Sequence, residues 1–442
     1  MSHFDSEPHA RDLLVIGAGP MGLAAAYFAC ARGYRVEVLE AGDRPGGMAA
    51  HFDFGGLSLE RFYHFCCKTD VDTFALLSEL GLPAAVHWVP TRMGYFVAGR
   101  LHPFGDPVAL LRFPWLSLVE KMRYAAMAFC ATKRSDWSAL DRLSARDWLV
   151  RWCGPRAYDR MWRPLFELKF FEFANSISAA WAWQRIKRLG KSRRSLFQEE
   201  LGYIEGGSEA LIERLVDAIE RGGGRIRLKE PVRHILVEDG TVKGVETAAA
   251  QRAPAAAVIS TVPLPYVPAM LQRDAPQLAA RYTGLDNIAV VCVVHKLRRS
   301  VSPHFWVNIC DPDIGIPGFV EFSHLRPLPD TIVYVPYYMP ATRERFSWSD
   351  EALGDESFRF LQRINPALTA ADRIDTHVAR LRYAQPVCTV GFASKLPPAQ
   401  TSIAGLQIAD TSFYYPEDRG ISESIKFARR MVQALPSHAK AG

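Results

Sequence analysis

The run Gly17-Ala18-Gly19-Pro20-Met21-Gly22 carries the strongest chemical signal in the chain. Glycines at this spacing permit a tight turn at Gly17, close approach of backbone to a pyrophosphate at Gly19, and packing of a helix on a strand at Gly22. Pro20 and Met21 then open a helix whose free amides face the anion. Glu40 follows near the offset of roughly 20 residues at which a carboxylate accepts hydrogen bonds from the ribose hydroxyls of an adenosine. Its charge would repel a 2′-phosphate, so the pattern favours FAD or NAD over NADP. The next stretch, Ala41-Gly42-Asp43-Arg44-Pro45-Gly46-Gly47-Met48, is a second glycine-rich turn with a basic residue before it. It suits FAD, whose pyrophosphate and ribityl chain run on past the first turn.

Candidates for chemistry on a substrate are fewer. His64 lies just beyond the glycine-rich segments, where a loop should come back toward the cofactor; a histidine amid aromatics can equally be a packed core residue. Glu321 and His324, in FVEFSHL, are expected to point from a substrate sheet into the cavity, or to sit exposed at a strand end. Lys169, flanked by Leu168 and two phenylalanines, is expected to snorkel, with contact to an anion as the alternative. The basic run Arg185, Lys187, Arg188, Lys191, Arg193 and Arg194 reads as a solvated face, with phosphate contact as the alternative. Dense aromatics, among them Phe170, Trp181, Trp306 and Tyr338, read as core packing, with a few lining an apolar tunnel.

The elements that must position these residues follow from the hydrophobic pattern. Residues 12–16 read as a strand, 20–32 as a helix closed by Gly33, and 34–39 as a second strand. Residues 73–198 carry Leu, Trp, Arg and Lys at helical spacing and read as a mostly helical block. A helix over 209–221 and strands over 225–228, 232–237, 242–247 and 256–260 follow. Further strands are expected at 287–294, 305–309, 332–337 and 406–409, and a closing helix at 421–435. The fold class is therefore α/β: a Rossmann-like FAD-binding domain built from separated segments, with an inserted α+β substrate domain of mixed sheet and helices. The expected boundaries are residues 1–70, 200–265 and 386–442 for the FAD domain. Residues 71–199 and 266–385 form the substrate domain, with 71–199 its helical part.

The bulk properties agree with two or three globular domains. The chain has 442 residues, 49% of them hydrophobic and 23% charged, and a net charge of +6; this excludes disordered, collagenous and disulfide-stapled classes. Its eight cysteines have no zinc-ligand spacing, so no metal is expected and the thiols read as reduced, in a cytoplasmic protein. Residues 1–11 lack the basic-then-apolar order of a signal peptide. No nucleic-acid reader motif accompanies the charge. Apolar stretches at 110–118 and 124–131, followed by Lys133 and Arg134, allow peripheral membrane contact; nothing indicates an oligomeric state.

Residues 15–48, VIGAGPMGLAAAYFACARGYRVEVLEAGDRPGGM, resemble the N-terminal signature of the flavin-containing amine oxidase superfamily, which includes protoporphyrinogen oxidases and phytoene-type desaturases. Where the family usually has Arg after its second Gly-Gly, this chain has Met48. The resemblance continues in KEPVRHI, where Val232 would offer backbone groups to the adenine, and in AAVISTVP at 256–263. It closes with Ile408-Ala409-Asp410 and Arg419-Gly420-Ile421-Ser422-Glu423-Ser424. There Asp410 would lie near the ribityl and phosphate region, and the helix start at Gly420, Ile421 and Ser424 would face the flavin ring. Segments 59–64, 162–165 with Lys169, and Tyr203 with Gly206-Gly207 look similar to the protoporphyrinogen-oxidase-like branch. The resemblance implies an FAD-dependent oxidoreductase that removes a hydride from a C–H bond of a hydrophobic or amphipathic small molecule, as an oxidase, dehydrogenase or desaturase. The alternatives are a non-redox isomerase or mutase that uses reduced FAD, and a flavin-binding protein without catalysis.

Overall fold

A computed structural model describes residue 9 and residues 11–436. The first eight residues, residue 10 and residues 437–442, which form the two ends of the expected FAD domain and most of the segment read for a signal peptide, lie outside the described residues.

The centre of the nucleotide half is a five-stranded parallel sheet ordered Arg225–Arg227, Arg35–Leu39, Asp12–Ile16, Ala257–Ser260, Leu406–Ile408. Its strands come from four separated stretches of chain, and parallel neighbours of this kind need crossover connections. Alternation along the first strand assigns its two faces. Leu13 and Val15 pack with Val36, Val38, Ala257 and Ile259 under the helices, whereas Leu14 and Ile16 pack with Val258, Leu406 and Ile408 on the other side. The Pro20–Ala31 helix buries Ala24, Ala25, Ala26 and Ala29 completely. Such small side chains let its axis come close to the Ser208–Arg221 and Ile421–Gln433 helices, both of which it touches.

The second half is built on a seven-stranded sheet ordered Arg373–Pro386, Asn287–Leu297, Thr331–Met339, Gly318–Glu321, Trp306–Ile309, Met93–Val97, Arg100–Phe104. Most pairs are antiparallel; Trp306–Ile309 runs parallel to Met93–Val97, so the sheet is mixed. The Asp350–Ile364 helix covers one face through Leu353, Phe358 and Leu361, which pack on Val291 and Val293. The opposite face carries Val290, Cys292, Val294 and Tyr334 into a second core shared with the helices of residues 107–191.

Residues 73–198 are mostly helical, as expected, but two strand pairings that the pattern did not show also run through this block. Val86–Thr91 pairs with Gln198–Ile204, and Met93–Val97 forms a hairpin with Arg100–Phe104. The hairpin turn is Ala98-Gly99, both with positive φ (48° and 71°), the backbone that a two-residue turn between twisted strands requires. The long Arg373–Pro386 strand and the Asp350–Ile364 helix are additions to the expected elements.

Among the described residues no helix is long and apolar enough to cross a membrane. The Leu118–Lys133 helix begins with a capping box between Ser117 and Glu120 and leaves Leu118, Val119, Met122 and Phe129 exposed.

Candidate active site

Where the two halves meet, one cavity of about 810 Å³ runs from Gly19 and Glu40 at one end to Trp306 and Phe322 at the other. The glycine turn forms its nucleotide end. Gly17 has φ +99° and donates its N–H to the Leu39 carbonyl at 2.8 Å. A Cβ on Gly22 would lie 1.9 Å from the Gly17 oxygen, whereas one on Gly19 would meet nothing within 4 Å. Gly22 is thus a packing glycine, and Gly19 presents open space at the start of a helix, the arrangement that admits an anion to free amides. Gly47 packs against the same spot, since its Cβ would come 3.1 Å from the Gly19 Cα.

Glu40 accepts from the N–H of Ala18 at 2.7 Å and of Gly42 at 2.8 Å, which fixes the carboxylate at the cavity wall. Pro20, Met21, Ala41, Met48 and Val232 also line the cavity. At the far side of the sheet Asp410 accepts from Leu264 N and Ser412 N, both at 2.8 Å, and burial pushes its carboxyl pKa up. Gly420 precedes the Ile421–Gln433 helix, and Gly420, Ile421 and Ser424 line the same space. The Ser424 hydroxyl donates to the Gly420 carbonyl at 2.9 Å and accepts from Tyr414 at 2.9 Å, so it braces the helix start. Open space at Gly19, two helix N-termini and an acidic group at the end of the second strand fit an FAD whose pyrophosphate would face the first helix start and whose flavin end would face the second.

Gly22, Arg44 and Gly46 have structural positions outside the cavity lining. Arg44 donates from Nη1 to the His51 carbonyl at 2.6 Å, holding the second turn to the strand after it. Gly46 has φ +114°, and a Cβ there would lie 2.9 Å from the Ala50 Cα.

His64 faces the cavity beside Tyr63 and Phe65. Its Nδ1 is buried with no hydrogen-bond partner, and burial lowers its pKa to about 4, against a smaller upward pull from Glu60. The ring is therefore neutral at pH 7. Glu60 is buried next to it; burial alone would raise its carboxyl, but the His51 ring beside it and His64 outweigh that and hold it at about 2. Tyr63 meets Trp306 and Tyr334 edge-on, with centroids at 5.6 and 5.7 Å, which holds the 63–65 segment against the substrate sheet.

Three expectations are corrected here. Glu321 and His324 do not line the cavity: Glu321 is 1% exposed, accepts from Val301 N at 3.1 Å and Ser302 N at 2.9 Å, and lies 3.2 Å from His324 Nε2. The short turn at Phe322–His324 folds both back on the 301–304 loop instead of into the cavity. Lys169 does not snorkel, because the Arg163–Phe170 helix aims it into the cavity, 4.6 Å from the Tyr338 ring centroid and 5.2 Å from that of Trp181. Nor is the basic run uniformly solvated. The amphipathic Ala179–Lys191 helix turns Arg185 and Arg188 inward, where they pair with Asp418 at 2.5 Å and Asp70 at 2.8 Å.

The cavity residues that the sequence pattern did not single out include Cys292, Tyr383 and Asp418. An inward helical face of Trp181, Gln184, Arg185 and Arg188, spaced 3, 1 and 3, was the available signal for the charged part.

Residues 22–392 match the family model described as Flavin containing amine oxidoreductase. The chain is 28% identical over 259 residues to amine oxidase [flavin-containing] A of Canis lupus familiaris, covering 53% of this chain and 46% of that protein. It thus spans about half the length of the amine oxidases it matches. In structure it resembles a candidate protoporphyrinogen oxidase from Exiguobacterium sp. 255-15, with TM-score 0.75 at 21% identity over 97% of this chain and 99% of that one. A reduced UDP-galactopyranose mutase superposes with TM-score 0.73 at 15% identity over 96% and 93% of the two chains. At such identities these two likenesses concern the fold.

Proposed function

The chain belongs to the flavin containing amine oxidoreductase family, whose members bind FAD, and from that premise we propose that it removes a hydride from a C–H bond of a hydrophobic or amphipathic small molecule. The observation that carries this reading is the continuity of the cavity. Its nucleotide end, at Gly19 and Glu40, opens without interruption into a compartment walled by Val290, Cys292, Trp306, Phe322, Leu381 and Tyr383. An apolar compartment of this kind selects a substrate by its hydrocarbon surface and excludes water from the reacting bond. FAD, when bound, supplies the two-electron acceptor.

The chain's own part is positioning. Gly17, Gly19, Pro20 and Met21 would take the pyrophosphate, Glu40 the adenosine ribose, Val232 the adenine, and Asp410 with the Gly420–Ser424 helix start the opposite end. A helix N-terminus there favours negative charge. His64, neutral and lacking a partner for Nδ1, is the group in the compartment best suited to hold or move a proton. Exposed Leu118, Val119, Met122 and Phe129, interleaved with Lys121 and Lys133, support peripheral contact with a lipid surface.

The test is stoichiometric. Purified protein should carry FAD visible by its absorbance, and a substrate added without oxygen should bleach it once per molecule oxidised. Many turnovers on pre-reduced protein without net electron flow would replace this reading with that of an isomerase or mutase. A protein that neither carries nor binds FAD would overturn it.

A further inference from the structure

Two cations meet at one aromatic ring inside the cavity. Lys169 Nζ lies 4.6 Å from the centroid of Tyr338, and Arg419 Cζ lies 5.8 Å from the same centroid. Arg419 donates from Nη2 to the Tyr338 hydroxyl at 3.3 Å and from Nη1 to the Ala384 carbonyl. Lys169 has no hydrogen-bond or ion-pair acceptor among the described residues; its neighbours are the faces of Tyr338, Trp181 and, at 5.8 Å, Phe170. The carboxylates nearby are already engaged, Asp418 by Arg185 and Asp70 by Arg188. Glu60, also on the cavity wall, accepts from Ser208 N at 3.1 Å and sits beside His51. Lys169, Arg185, Arg188 and Arg419 therefore share two carboxylates, Asp70 and Asp418, the latter acting on Lys169 and Arg419 as well as on its ion-pair partner Arg185, so the basic groups outnumber the acidic ones by two.

Like charges in a dry compartment repel strongly. Burial first, then Arg185 and Arg419, hold the Lys169 amine well below the ordinary lysine range, against a smaller upward pull from Asp418. An ammonium substrate would add a further cation to this corner, and the ring faces that would welcome it already host Lys169. An oxyanion would instead supply the missing acceptor, restore the Lys169 proton and screen the two cations from each other.

Building on the function proposed above, we infer that the corner formed by Lys169, Tyr338 and Arg419 is a subsite for an oxyanionic group of the substrate, which is an amphipathic carboxylate or phosphate and not a cationic amine. Its hydrocarbon part would lie along Tyr63, Trp306 and Phe322.

The probes are decanoate, decyl phosphate, decanol and decylamine, titrated into the FAD-loaded protein at pH 7.5. Binding is read from the flavin absorbance band, from tryptophan fluorescence, and from calorimetry in two buffers of different ionisation enthalpy. At least one of the two acids should bind about 10-fold or more tightly than decanol and decylamine, with proton uptake, as a charge-assisted hydrogen bond implies. Which acid wins separates a carboxylate substrate from a phosphate one. Lys169→Met should lose about 10-fold in acid affinity with decanol binding and FAD content unchanged, and Lys169→Arg should retain most of it. Equal or tighter binding of decylamine overturns the inference. So does a Lys169→Met protein that keeps its acid affinity and shifts only the flavin midpoint potential, since the cations would then serve the cofactor. If the protein binds no FAD the function proposed above falls, while calorimetry on the same protein still reports whether acids bind through Lys169.

Discussion

Gly19 and Gly22 share a motif and do different work, which substitution can separate. Gly19→Ala adds a methyl where nothing lies within 4 Å, so the fold should keep its unfolding temperature while FAD affinity drops by about 10-fold or more as the methyl enters the anion's space. Gly22→Ala forces a contact of 1.9 Å with backbone; it should lower the unfolding temperature as well as FAD retention. Equal behaviour of the two in calorimetry and FAD content would refute the assignment. His295 gives a separate prediction. It is fully buried between Thr376 at 3.1 Å and Ser357 at 2.8 Å, and burial lowers its pKa to about 3. An unfolded histidine titrates near pH 6.5, so below that value the unfolded chain takes up a proton that the folded chain refuses. Stability from this group is present above about pH 6.5 and is lost as pH falls toward about 3. His295→Gln should therefore flatten the fall of unfolding temperature between pH 6.5 and 4.5. The glycines were legible in the sequence because their spacing encodes a backbone need. Glu321 was not, because its partners Val301 N and Ser302 N are backbone amides that any residue type could supply.

The Ala179–Lys191 helix shows how a pattern can be seen and its direction missed. Its basic residues are evident in the sequence, but the carboxylates that draw two of them inward are remote in the chain: Asp70 precedes the Val71–Glu79 helix and Asp418 precedes the Ile421–Gln433 helix. Asp70→Ala leaves the half-buried Arg188 guanidinium without its carboxylate and should cost about 3 kcal/mol in denaturant unfolding. Asp70→Ala combined with Arg188→Met should recover most of that loss, because replacing both partners removes the stranded charge; no recovery would deny the pair a structural role. The strands over 93–97 and 100–104 were obscured for a related reason. Each is short, and what ties the hairpin into the larger sheet, the pairing of Met93–Val97 with Trp306–Ile309, lies far along the chain.

The parallel sheet joins residues from the beginning, middle and end of the chain, and the same recurrence of short apolar runs made the discontinuous nucleotide half readable in advance. What the sequence did not contain was the facing of the second sheet toward the cavity, since that depends on how the two halves close on each other. A chain cut after residue 400 lacks the Leu406–Ile408 edge strand, Asp410 and the Ile421–Gln433 helix; it should show no cooperative unfolding transition and retain no FAD, and a folded, flavin-loaded fragment would contradict this. The order of those strands also sets a timetable for biosynthesis. At roughly 5–20 residues per second, the edge strand emerges roughly 20–80 s after the first strand of the same sheet. Until then the Ala257–Ser260 strand has one flank without a partner, and the helix start at Gly420 does not yet exist. Cofactor capture is thus confined to the end of translation, and a nascent chain short of flavin spends that interval with an open sheet edge, the form in which chaperones and aggregation compete for it.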